Sequence, residues 1–185
     1  VSSLFSSNFS DSTDTVSGGS SANTLAGIAI TSYTRDATKG EWQYSTNGSS
    51  WTTISSSISA ASSSLTFKST DYLRFLPAAN WNGSAPTLTV ALIDSSTTVT
   101  TNATVDVSTR GGTTAYSSST VTLSNTVNAV NDAPVASGSA TLTAIDEDTT
   151  NPSGATVSSL FSSNFSDSTD TVSGGSSANT LAGIA

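Results

Sequence analysis

The chain has 185 residues, of which 35% are hydrophobic and only 10% charged, with a net charge of −8 and neither cysteine nor histidine. That excludes disulfides, thiolate metal sites and the Ser-His-Asp and Cys-His catalytic arrangements, and the scattered cations Arg35, Lys39, Lys68, Arg74 and Arg110 make no basic patch for nucleic acid. No apolar run approaches the ~18 residues of a membrane-spanning helix, and no signal-peptide pattern is present.

Polarity comes mainly from Ser, Thr, Asn and Gly, and short Thr-rich and Val-rich alternations broken by turn residues predict β-structure. At the start, Val1, Leu4, Phe5 and Phe9 can share one face of a turn or two of helix. Strands are predicted at residues 25–33, then at 41–45 and 51–54, which flank a loop holding the hairpin dipeptide Asn47-Gly48. Residues 65–67 and 72–75 follow, separated by a short polar turn, then 87–93, 103–107 and 120–130. Asn131-Asp132-Ala133-Pro134 marks a boundary, because proline cannot donate to a sheet ladder. A further strand is predicted at residues 139–145, ending at the acidic triplet Asp146-Glu147-Asp148.

Residues 157–185 then repeat residues 1–29 without a change, a period of 156 residues (157 − 1), which is the size of a whole domain and not of a solenoid turn. The reading is a tandem array met out of phase. Residues 1–131 are most of one repeat without its opening strand, and residues 132–185 are a linker and the start of the next repeat, supplying that strand. Roughly seven to nine short strands joined by turn-rich loops predict an all-β fold, an immunoglobulin-like or cadherin-like β-sandwich. Residues 139–145 are then suited to fill the open edge of the sheet, by folding back or by insertion into another molecule, and donation between chains is the expectation. The two identical segments compete for one place.

Several motifs occur together in order: Gly40-Glu41-Trp42-Gln43-Tyr44-Ser45 followed by Trp51, Asp71-Tyr72-Leu73-Arg74-Phe75-Leu76-Pro77, Asn80-Trp81-Asn82-Gly83, a strand ending in Asp94, and Val130-Asn131-Asp132-Ala133-Pro134. In these the chain resembles the cadherin-like, immunoglobulin-like repeats of giant bacterial adhesins of the repeats-in-toxin group, which leave the cell by type I secretion. The resemblance covers the whole period. It implies a calcium-stiffened extender between a cell anchor and a distal binding tip, extracellular at the bacterial surface and serving adhesion and biofilm formation, with adjacent repeats as its partners. One hallmark is missing, since Gly18-Gly19, Gly111-Gly112 and Gly174-Gly175 lack the Gly-x-Asp that continues the calcium nonapeptide.

Carboxylates are the only concentrated reactive groups. Calcium takes six to eight oxygen ligands, so Asp146, Glu147 and Asp148 beside the boundary form a candidate Ca²⁺ site with Asp132 and the Asn131 carbonyl. Asp11 and Asp14, recurring as Asp167 and Asp170, are candidate additional ligands, as is Asp94. Solvated loop acids and turn caps are the alternative. Glu41 or Glu147 with an aspartate is the only conceivable glycosidase-like pair, but Glu41 opens a strand and Glu147 sits in the acidic triplet, so no enzyme is expected. An isopeptide bond would need Lys39 or Lys68 buried beside an acid, and Lys39 adjoins a glycine turn. Trp42, Tyr44 and Trp51 are expected to form a cross-strand core cluster. Trp81 is the candidate exposed ring for the alternative function, recognition of a glycan or host ligand. Arg74 is expected to pair with a loop acid such as Asp71. The Thr-x-Thr pieces lie on separate strands and read as half-exposed strand threonines instead of an ice-binding array, and the sequons at Asn8, Asn47, Asn82 and Asn102 read as chance.

Overall fold

The computed structural model describes residues 1–12, 22–170 and 178–185. The chain forms two compact units, Val1–Ala79 with Ser84–Val127, and Asn128–Ala185 with Asn80–Gly83. In chain order the elements are helix α1 (Ser2–Phe5), strands β1 (Leu25–Tyr33), β2 (Gly40–Ser45), β3 (Thr52–Thr53), β4 (Ser64–Lys68), β5 (Tyr72–Pro77), β6 (Gly83–Ser84), β7 (Leu88–Asp94), β8 (Ala103–Val105), β9 (Tyr116–Leu123), β10 (Thr126–Val127) and β11 (Val135–Ala136), helix α2 (Val157–Phe161) and strand β12 (Phe165–Ser166). The fold is all-β, with antiparallel pairing throughout the larger sheets.

In the first unit a five-stranded sheet runs β8-β4-β1-β7-β9 and a three-stranded sheet runs β3-β2-β5. Consecutive residues of β1 and β7 are buried along most of each strand, so both faces are covered and their sequences read as apolar runs, not alternations. On one face Ile28 lies opposite Phe67 in register, and the Phe67 ring meets Tyr44 of the smaller sheet at 5.0 Å between centroids. On the other, Ala29 and Ile93 pack with Val99 and Val107. Gly27 is required by this crowding, because a Cβ there would fall 2.3 Å from the Phe67 carbonyl oxygen and 3.0 Å from Val99.

The predicted hairpin is present: Gln43 and Tyr44 pair with Thr53 and Thr52. Gly48 adopts φ 75°, and the Ser45 hydroxyl accepts from the amides of Asn47 and Gly48 at 3.2 and 2.9 Å. Consecutive β4 and β5 do not pair with each other. β4 joins β1, whereas β5 joins β2, so the chain changes sheets at the turn containing Asp71. Asp71 is buried there, its carboxylate accepting from the Lys68 amide at 2.8 Å and the Thr101 hydroxyl at 2.6 Å. It is therefore not the partner of Arg74, which instead donates to Gln43 at 2.8 Å and stacks on Trp51 at 4.1 Å. Trp42 is core as expected, but Trp51 lies half-buried beneath that guanidinium. Lys39 is paired with Asp36 at the surface, 3.7 Å away.

Residues 1–29 supply the opening elements of this unit. Val1, which precedes α1, and Phe5 at its end are buried, whereas Leu4 is exposed and Phe9 half-buried, so the expected apolar face narrows to two residues. The Val1 nitrogen donates to the Asp71 carbonyl and the Ser2 amide to Ser69 O at 2.8 Å, which fixes α1 to the β4–β5 turn.

The second unit is held differently. Val135 and Ala136 pair with Ser166 and Phe165, and the Ser137 amide donates to Asn164 O at 2.9 Å. Residues 139–145, predicted as a strand able to complete the sheet of the first repeat, form no strand, and Leu142 and Ile145 are exposed. Their Thr-Leu-Thr alternation has β propensity, but propensity makes a strand only where a partner edge is paired. The central position of the five-stranded sheet is held by β1, whose opening residues belong to the first copy of the duplicate.

Candidate cation site

The second unit carries Asp132, Asp146, Glu147, Asp148, Asp167 and Asp170, and residues 128–185 contain no Lys, Arg or His. Two of these acids are deeply buried, with 5% of Asp167 and 3% of Asp170 exposed. The Asn179 amide donates to Asp167 Oδ2 at 2.6 Å, and the Asp132 amide donates to Asp170 Oδ1 at 2.9 Å. Asn179 also donates through Nδ2 to Asn131 Oδ1 at 2.8 Å. The boundary dipeptide Asn131-Asp132 is thereby tied to the loop that follows β12. Asp167 Oδ1 is buried and has no hydrogen-bond partner among the described residues.

An ionised carboxylate taken out of water costs several kcal/mol unless it is paired, and among the described residues the hydrogen bond to Asp167 satisfies only one of its oxygens. No side-chain cation of this unit can offset the charge. The oxygens at hand are the buried carboxylates of Asp167 and Asp170, with half-buried Asp132 joined to Asp170 through its amide. These are hard oxygen ligands of the kind calcium takes. Among the described residues no three acidic side chains converge closely enough to form a metal-binding cluster by themselves.

The other predicted ligands are distributed. Asp146, Glu147 and Asp148 are exposed in a turn where the Asp146 carbonyl accepts from the Thr149 hydroxyl at 2.7 Å, and Asp148 has φ 68°. They form no such cluster with Asp132. In the first unit Asp11 Oδ2 accepts from the Asn23 amide at 2.7 Å, the same bond that Asp167 makes with Asn179 in the duplicate. Asp11 and Asp94 line one cavity of about 530 Å³ with Asn23, Ser96 and residues 112–114. Asp94 Oδ1 also accepts from the Ser96 amide at 2.7 Å. Asp14 lies outside the described residues. Trp81 is half-buried, beside Asn80 at φ 58° and buried Asn82.

Asn23 and Asn179 were missed as site residues by sequence reasoning. Because the two copies are identical at every position, the duplication singles out neither asparagine, and their role comes only from the backbone hydrogen bonds that they make. No helix among the described residues is long and apolar enough to cross a membrane. The chain matches no protein-family model, no curated protein and no solved structure.

Proposed function

We propose that the chain is a non-catalytic extender module of a long bacterial cell-surface adhesin, an immunoglobulin-like or cadherin-like β-sandwich repeat stiffened by calcium. The reading rests on the perfect duplication with a domain-sized period. The observation that carries the calcium assignment is the buried Asp167, one of whose oxygens has no partner among the described residues, in a segment without any basic side chain. Calcium at the buried pair Asp167 and Asp170 would supply the missing positive charge. Asn179 and the Asp132 amide position the boundary against these carboxylates, so occupancy would restrict bending where one repeat passes to the next. Of the acids expected as ligands, the proposal rests on the buried pair Asp167 and Asp170 and not on the exposed triplet at Asp146.

A ligand bound only by the folded state stabilises it by about 2.7 kcal/mol at a hundredfold excess over Kd, and extracellular calcium modules have Kd values of about 10⁻⁴ to 10⁻³ M. Raising calcium from chelator to about 10 mM is therefore expected to raise the melting temperature by about 5–10 °C, measured by differential scanning calorimetry. Asp146→Asn should keep that gain. An unchanged melting temperature would sink the calcium assignment, and specific binding on a glycan array would favour a ligand-binding module over an extender.

A further inference from the structure

The outer face of the three-stranded sheet carries a cation that the fold holds in place without neutralising. Gln43 on β2 pairs with Thr53 on one side and Arg74 on the other, so these three side chains form one row across the sheet. Gln43 Nε2 donates to the Thr53 hydroxyl at 3.3 Å, and Arg74 Nε donates to Gln43 Oε1 at 2.8 Å. The guanidinium also lies over the Trp51 ring, 4.1 Å from its centroid. All of these partners are neutral. The protein has five cationic side chains against 13 acidic ones, and Arg35 and Lys39 are paired with Glu41 and Asp36. Glu41, two residues before Gln43 and so on the same face, is therefore already taken. Among the described residues no carboxylate bonds to Arg74, and its two terminal nitrogens keep the paired donors that suit one. Tyr72 follows on the same face of β5, about 7 Å along the strand from Arg74. It is 50% exposed, and its ring rests against the hairpin glycine, since a Cβ at Gly48 would meet ring atoms at 3.4–3.6 Å.

We propose that this face binds acidic polysaccharide, with a uronate sugar as the unit recognised. The carboxylate takes the two terminal nitrogens of Arg74, and the apolar C–H face of the same sugar ring rests on Tyr72. Gln43 and Trp51 fix the guanidinium beforehand, so little side-chain entropy is lost when the ligand arrives. A flexible acidic peptide offers the charge but no flat apolar face for the exposed ring. One charged pair and one ring contact on an open surface support a Kd of only about 1 mM. A single chain is then washed from a glycan array, as an extender should be. Repeated once in every period of a tandem array, the same weak contact adds up along the fibre and holds it to a matrix of acidic polysaccharide. Binding to one chain needs neither calcium nor the array.

Titration of the full chain with oligogalacturonate, in chelator and at low salt, measures this through the NMR signals of the Trp51 indole N–H and the Arg74 Nε–H. Both signals should shift together and saturate with a Kd of about 1 mM. The methyl-esterified oligomer has the same rings without the charge, and it should bind at least about tenfold more weakly. Arg74→Lys keeps the charge and loses the planar fork, so affinity read at the Trp51 signal should also fall about tenfold. Tyr72→Ala should weaken binding about fivefold. Both substituted side chains are exposed, and a retained melting transition checks that each variant is folded. No shift up to about 20 mM oligogalacturonate, or equal binding of the methyl ester, would overturn the proposal. So would an Arg74→Lys chain that binds as well as the unaltered one, which would reduce the contact to diffuse charge attraction. Polyglutamate of matched length should bind more weakly than the sugar, and equal binding would replace the glycan with an acidic peptide.

Discussion

Trp42→Ala is expected to destabilise the protein by about 3–5 kcal/mol, measured by denaturant unfolding. Trp42 is 2% exposed on β2, in edge-to-face contact with Phe75 at 5.6 Å between centroids, and its indole nitrogen donates to the Pro86 carbonyl at 2.6 Å. Truncation would leave a cavity of indole size and an unpaired, half-buried carbonyl together, and the two penalties have the same sign. Trp42→Phe should recover most of the volume and none of the hydrogen bond, and so should fall between. A loss below about 1 kcal/mol for the alanine variant would contradict this placement of the ring.

Asp71→Ala should cost about 3 kcal/mol, because it strands two donors, the Lys68 amide and the Thr101 hydroxyl, each worth about 1–3 kcal/mol when left unpaired in the interior. The same residue makes the corner where the chain passes from one sheet to the other, and its own amide donates to Lys68 O at 3.0 Å. Asp71→Asn retains an acceptor oxygen and should recover part of the loss. Equal stability of the alanine variant and the unaltered chain in urea titration would show that the corner does not need the carboxylate.

Much of the first unit was legible from local signals. Asn47-Gly48 announced its hairpin because few other residues adopt positive φ at low cost, and the β-branched runs at β1 and β7 announced buried strands. Which sheet a strand joins was not legible. The turn between β4 and β5 looks like any polar hairpin turn, and only the long-range register of β4 with β1 and of β5 with β2 separates them. The same limit applies to residues 139–145, whose alternation is right for a strand but whose edge partner is lacking.

In the candidate site, adjacency in sequence and burial in the structure point to different acids. Asp146-Glu147-Asp148 is conspicuous because the charges are adjacent, yet adjacent like charges repel and stay in solvent unless something draws them in. Asp167 and Asp170 are inconspicuous in a Ser- and Thr-rich loop, but they are buried because residues 131–137 run alongside residues 164–170 through β11 and β12. That pairing joins the boundary to a segment of the duplicate, and sequence spacing alone does not reveal it.

The calcium assignment makes a prediction that a merely structural role for Asp167 does not. Without calcium, a buried and half-satisfied carboxylate is a liability, so Asp167→Asn, which removes the charge and keeps an oxygen for the Asn179 amide, should melt higher than the unaltered chain in chelator. With calcium at about 10 mM the order should reverse, because only the unaltered chain gains the binding free energy. Thermal melting of the two proteins in parallel, with chelator and with calcium, measures this directly. The account predicts that the two orders cross, and an Asp167→Asn chain that is less stable by the same margin in both conditions would contradict it.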